Sequence, residues 1–97
     1  MSMIEPKHTT VDKTIQTMNG AVVLENPKGF PREESNLYCV GHEGEMVWQA
    51  EKPDAAGLFN RVMLNTDGNT LLAYAVTGQA CEIDLGNGKL ISQVKIK

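Results

Sequence analysis

Cysteine, histidine and tryptophan are scarce in this chain, and each scarcity removes a class of function. The two cysteines, Cys39 and Cys81, and the two histidines, His8 and His42, stand apart from one another. No Cys-x-x-Cys and no His-Glu-x-x-His is present, which excludes the usual zinc and dithiol motifs. The run Gly41-His42-Glu43-Gly44-Glu45 offers one histidine without a second and no Pro-Cys-x-x-Cys after it, so no metal is expected. Each cysteine lies in an apolar run, Leu37-Tyr38-Cys39-Val40 or Ala80-Cys81-Glu82-Ile83, and reads as a buried, reduced thiol. A disulfide would need an exporting signal, and Met1 to Lys7 has no apolar stretch of that kind, so a cytoplasmic location is the default expectation. Long apolar runs are missing as well. The longest, Leu71 to Val76, is far short of a helical membrane span, and no membrane partner is expected. Positive charge is not in excess either: 9 Lys and Arg stand against 12 Asp and Glu, which argues against nucleic acid. There is no Gly-x-Ser-x-Gly, and the Gly86-Asn87-Gly88 turn leads into a strand where a phosphate cradle needs a helix. No catalytic residue and no cofactor are assigned.

What remains is a strand pattern. With 97 residues, 41% of them hydrophobic, the chain suits one compact domain. Residues 1–10 are polar and unpatterned and read as a flexible leader. Beyond them apolar residues recur every second position. Asn19-Gly20 between two such runs is a strong hairpin signal. Strands are predicted over Thr14–Met18, Ala21–Leu24, Asn36–Val40, Met46–Ala50, Phe59–Asn65, Thr70–Val76, Ala80–Leu85 and Lys89–Lys97. Proline-bearing loops fill Asn26–Ser35 and Glu51–Gly57, and the sole helical candidate is a short turn at Asp54-Ala55-Ala56. Leu71 to Val76 is apolar on both faces and should be the middle of a sheet covered on both sides. The last strand should be an edge, with Leu90, Val94 and Ile96 on one face and Ile91 among lysines on the other.

The two halves also match each other. Tyr38-Cys39-Val40 aligns with Cys81-Glu82-Ile83, and Gly44 to Gln49 aligns with Gly88 to Gln93. Two units follow, 11–51 and 58–97, each a four-stranded antiparallel meander. Cys81 then takes the place of Tyr38, so the two cysteines should point to opposite faces of their sheets and resist bridging. Asn36-Leu37-Tyr38-Cys39-Val40 followed by Gly44-Glu45-Met46-Val47-Trp48 resembles the last two strands of a β-propeller blade of the pyrroloquinoline-quinone type. Cys81 to Asp84 with Gly88-Lys89 supplies the Asp and Gly-Lys of that pattern, while Ser92 replaces its tryptophan and Gly41 replaces its aspartate. The resemblance implies an all-β architecture of two blade-like sheets, packed face to face or completed by oligomerisation, for instance three chains closing a six-bladed ring. It implies no quinone or calcium site, whose motifs are missing.

By the same resemblance Trp48 is a blade-packing residue; the alternative is an exposed platform for a sugar or aromatic ligand. The function expected first is a non-catalytic interaction or assembly module, homo-oligomeric or bound to a protein partner. The second is lectin-like carbohydrate binding at the blade junctions through Trp48, Glu43, Glu45 and Asp67. The third is a hydrolase whose paired carboxylates meet only in space.

Overall fold

Eight strands and no helix make up residues 6–96, the span that the computed structural model describes. They are β1 (Val11–Thr17), β2 (Gly20–Glu25), β3 (Leu37–Val40), β4 (Met46–Gln49), β5 (Phe59–Leu64), β6 (Thr70–Ala75), β7 (Gln79–Asp84) and β8 (Leu90–Lys95). Strands β1 to β4 form one antiparallel meander and β5 to β8 a second. Short polar side chains close the turns: Asp67 accepts from Asn69 N at 2.8 Å, Asp84 from Gly86 N at 2.7 Å and Asn87 from Lys89 N at 2.9 Å. Asp54 does the same for Ala56 N at 2.9 Å, and the segment stays a turn without becoming a helix. No helix among the described residues is long and apolar enough to cross a membrane.

The two sheets share their register. Tyr38 pairs with Gln49 and Cys81 with Gln93; Val22 pairs with Cys39 and Leu72 with Glu82. Their irregularities fall at matching places too. One lies between Val11 and Lys13 in β1 and between Phe59 and Arg61 in β5. The other leaves Val47 out of the β3–β4 ladder and Ile91 out of the β7–β8 ladder. The second bulge corrects the expected pattern of the last strand. Because Ile91 is the extra residue, Leu90 pairs with Ile83 and turns into the core, while Val94, opposite Ala80, remains outside.

The core lies between the sheets. Val22, Leu24, Leu37, Cys39 and Trp48 of the first pack on Phe59, Val62, Leu71, Ala73, Ala75, Cys81 and Ile83 of the second. By register these are not corresponding faces, since Cys39 matches Glu82 and Cys81 matches Tyr38. The sheets therefore stack head to tail. Opposite faces of matched sheets then meet: the cysteines point to opposite faces of their sheets, as expected, and this brings both thiols into one core, where both are free. Polar groups stitch the stack. The Asn36 amide accepts from Phe59 N at 2.8 Å and donates to Phe59 O and Glu25 O at 2.6 Å each. Beside it, Glu51 N donates to Gly88 O at 2.8 Å, and Leu90 N to the Glu51 carboxylate at 2.9 Å.

The outer faces are unequal. β2, not β6, is buried along its whole length. Its outer side is roofed by the β2–β3 loop, which seats Phe30, and by the segment before β1, where Asn26 N donates to Thr10 O at 2.8 Å. Among the described residues the second sheet has no such roof, so Leu72 and Tyr74 of β6 are only half-buried and the expectation of cover on both sides does not hold.

Candidate functional site

Trp48 lies under the second sheet. It is 6% exposed, and its indole Nε1–H donates to Leu85 O at 2.9 Å. The ring rests against Gly88, where a Cβ would come within 2.6 Å of Trp48 Cε3. A ring so placed offers no face to a ligand. Glu43 and Glu45 both occupy the exposed β3–β4 turn, where the Glu45 carboxylate accepts from Glu43 N at 3.2 Å and lies over Gly41. Asp67 is in the β5–β6 turn, engaged with Asn69 N. The fold thus brings the turn acids to the same end of the molecule without joining them to Trp48. No group of three or more His, Cys, Asp or Glu fit for a metal occurs among the described residues.

Glu25 is the polar centre that sequence reasoning missed. Its side chain is fully buried at the end of β2. It accepts hydrogen bonds from the backbone N–H of Lys7 at 2.5 Å, His8 at 3.0 Å and Thr9 at 2.9 Å, and from the Tyr38 hydroxyl. Burial alone pushes this carboxyl up, but the Tyr38 hydroxyl and the three N–H donors outweigh it and hold the group below its ordinary value. Tyr38 is pushed far the other way, by burial first and then by the bond to Glu25 and its charge. Around this centre His8 packs edge-on against Phe30, with ring centroids 4.9 Å apart, and reaches Glu34 at 3.2 Å. The stretch read as a flexible leader is thus tied down from Lys7 to Thr9, while residues 1–5 lie outside the described span. Every acceptor position here is used internally, and the centre is a clasp.

Two open surfaces stand out among the described residues. One is a groove of about 810 Å³ between the β1–β2 hairpin (Gln16 to Asn19) and the turns carrying Asn69, Asp84 and Leu85; Met18 on its rim is 95% exposed. None of Trp48, Glu43, Glu45 and Asp67 lines it. The other is the outer face of the second sheet. The ladders set it out in two rows, Arg61–Tyr74–Ala80–Val94 and Met63–Leu72–Glu82–Ser92. Met63 is 44% and Val94 62% exposed. A shallow depression of about 190 Å³ runs across the β6–β8 part of it. Burial pushes the Cys81 thiol up on the other side of the same sheet, as it does Cys39, so neither is a ready nucleophile.

Fold and surface define a class: an all-β chain of two stitched, four-stranded meanders, one with its central β2 roofed and the other with an open outer face. The chain belongs to the family described as "Domain of unknown function (DUF7957)", whose family model matches residues 4–95. No curated protein matches the sequence.

Proposed function

We propose that the protein is a non-catalytic interaction and assembly module, built from two blade-like repeats of the quinone-propeller kind, that works by having the outer face of its second sheet covered by another chain. Matching registers and matching bulges in the two sheets support the repeat. The observation that carries the function is the inequality of the outer faces: the central strand β2 of one is covered by the chain's own residues, with Met46 exposed at its edge, and the other leaves Met63, Leu72, Tyr74 and Val94 in reach of solvent across its whole width. Contiguous apolar surface of this kind is characteristic of contact sites. A reducing compartment such as the cytoplasm fits two free thiols in one core. Sedimentation tests the proposal, first with the pure chain at high concentration and then in an extract of its own cells. In one setting or the other the wild-type chain should sediment as a larger species, and Met63→Glu should not. A wild-type chain that sediments at 10.6 kDa in both overturns it.

The groove at the turn end supports a second reading, small-ligand binding of the lectin kind, with Gln16, Asn19, Asn69 and Asp84 as the polar groups. Since Leu85 lines the groove and accepts from the Trp48 indole, a seated glycan should alter tryptophan emission. A glycan panel that leaves emission unchanged removes this reading.

A further inference from the structure

We infer that the chain covering the outer face of the second sheet is a second copy of this protein, packed about a two-fold axis that crosses β6. This rests on the proposal that the face is an interaction surface, and it adds the occupant and the geometry. The first argument is charge. Arg61 on β5 and Glu82 on β7 sit on the same face, on either side of the central strand and in different rows. Neither is in an ion pair among the described residues, where Lys7 pairs with Glu34 at 3.6 Å. A two-fold axis lying along the face and passing between Leu72 and Tyr74 exchanges the Arg61 and Glu82 positions. Each Arg61 then lies over Glu82 of the second copy, and Leu72 and Tyr74 of both copies meet at the centre. An isologous contact requires such self-complementarity, with residue i on j and j on i.

The second argument concerns the alternative mode of self-association. Inside the chain, the Cys39–Trp48 face of one sheet packs on the Cys81–Ile83 face of the next. Repeating that contact between copies would press the outer face of the second sheet onto the outer face of another copy's first sheet. Phe30 and the Lys7–Thr9 clasp stand over the β2 part of that surface in every copy, with Met46 open beside them. A head-to-tail repeat would have to accommodate those residues, whereas a two-fold contact meets no such obstacle and stops at two.

Size sets the strength. Four strands at a spacing of about 4.8 Å and six residues at about 3.3 Å each give a footprint of roughly 400 Å² in plan. A standard interface takes about 800 Å² from each partner, so a dimer of micromolar or weaker affinity is expected.

Sedimentation equilibrium from about 1 to 500 µM reads the outcome, with circular dichroism confirming that each variant folds. The wild-type mass should rise from 10.6 kDa towards twice that value. Arg61→Glu and Glu82→Arg should each weaken the dimer at least about tenfold, because each sets two like-charge pairs across the axis. Mixing these two variants should restore association, as should combining both changes in one chain. Val94→Asp should weaken it without rescue. A wild-type chain that stays monomeric throughout, or that forms trimers or an open series, overturns the inference. So does a mixture of the charge variants that associates no better than either alone. If Met63→Glu blocks association while the charge exchanges have no effect, the interaction surface stands and the two-fold arrangement falls.

Discussion

Replacing Gly88 by alanine tests the head-to-tail stack at its tightest point, and Gly44 supplies an internal control. The two glycines occupy matching turns, with φ of 75° and 88°, so alanine in either incurs the same left-handed penalty of about 1 kcal/mol. Their surroundings differ. A Cβ on Gly44 meets nothing within 4 Å, whereas a Cβ on Gly88 lies 2.6 Å from Trp48 Cε3, 2.8 Å from Cδ2 and 3.1 Å from Gln49 O. The indole is held by its bond to Leu85 O, and the added methyl would also press on the Gln49 carbonyl, so neither neighbour yields easily. Displacing it forfeits a hydrogen bond of about 1 kcal/mol and adds overpacking of roughly 1–3 kcal/mol. Gly44→Ala should therefore destabilise by about 1 kcal/mol and Gly88→Ala by about 3–5 kcal/mol. Urea denaturation followed by emission of the single tryptophan measures both. In a chain of this length the second variant should melt more than about 10 °C below the wild type, with red-shifted native emission. Equal losses in the two variants, or unchanged Trp48 emission in Gly88→Ala, would falsify the packing described for the sheet junction.

Two further outcomes follow from the buried polar groups. Glu25→Gln should lower stability by about 2–4 kcal/mol at pH 7, because the amide sets its own N–H among donors that need an acceptor. Since the folded carboxyl is held below its ordinary value, its contribution is complete above pH 4.5 and is lost as pH falls through the lower folded value. The gap between wild type and variant should accordingly narrow in urea titrations at about pH 3, and a gap that widens there would contradict the clasp. Asn36→Ala strips the partner from both backbone groups of Phe59 and should cost about 2–4 kcal/mol; chemical denaturation of the variant, with loss below about 1 kcal/mol, would show that the amide is not what joins the sheets.

The strands, turns and four-plus-four grouping were legible because period-two alternation and Gly, Asn and Asp turns are local signals. Asn19-Gly20 and Gly86-Asn87-Gly88 fall at hairpin ends as their chemistry dictates. The cover of each sheet was not legible. Alternation says that Leu71 to Val76 can be buried on both faces, but whether a roof exists depends on distant residues. Here Phe30 and Lys7 to Thr9 roof β2 and leave β6 half open. Bulges escaped for a related reason. Nothing in Leu90-Ile91-Ser92 marks Ile91 as the residue the ladder skips, and one skipped residue reverses every face before it. Glu25 was passed over because an acid at a strand end is usually solvated; the signal for it was the polar stretch Lys7-His8-Thr9, which is rich in free backbone donors. Of the four residues picked out for a ligand, Trp48 lies buried at the sheet junction, as the blade resemblance and the common burial of aromatics implied, while the acids carried no spatial information.

The ties between the sheets run through Asn36, Trp48 and Glu51 and owe nothing to the continuity of the chain at Asp54-Ala55-Ala56. Cleaving that exposed bend should leave two fragments that neither fold alone nor drift apart when together, since each would lack half of a shared interior. The molecule is in this sense already a pair of complementary halves, and severed between Ala55 and Ala56 it should serve as a reassembling two-piece tag, with its single indole brightening or dimming as the pieces meet.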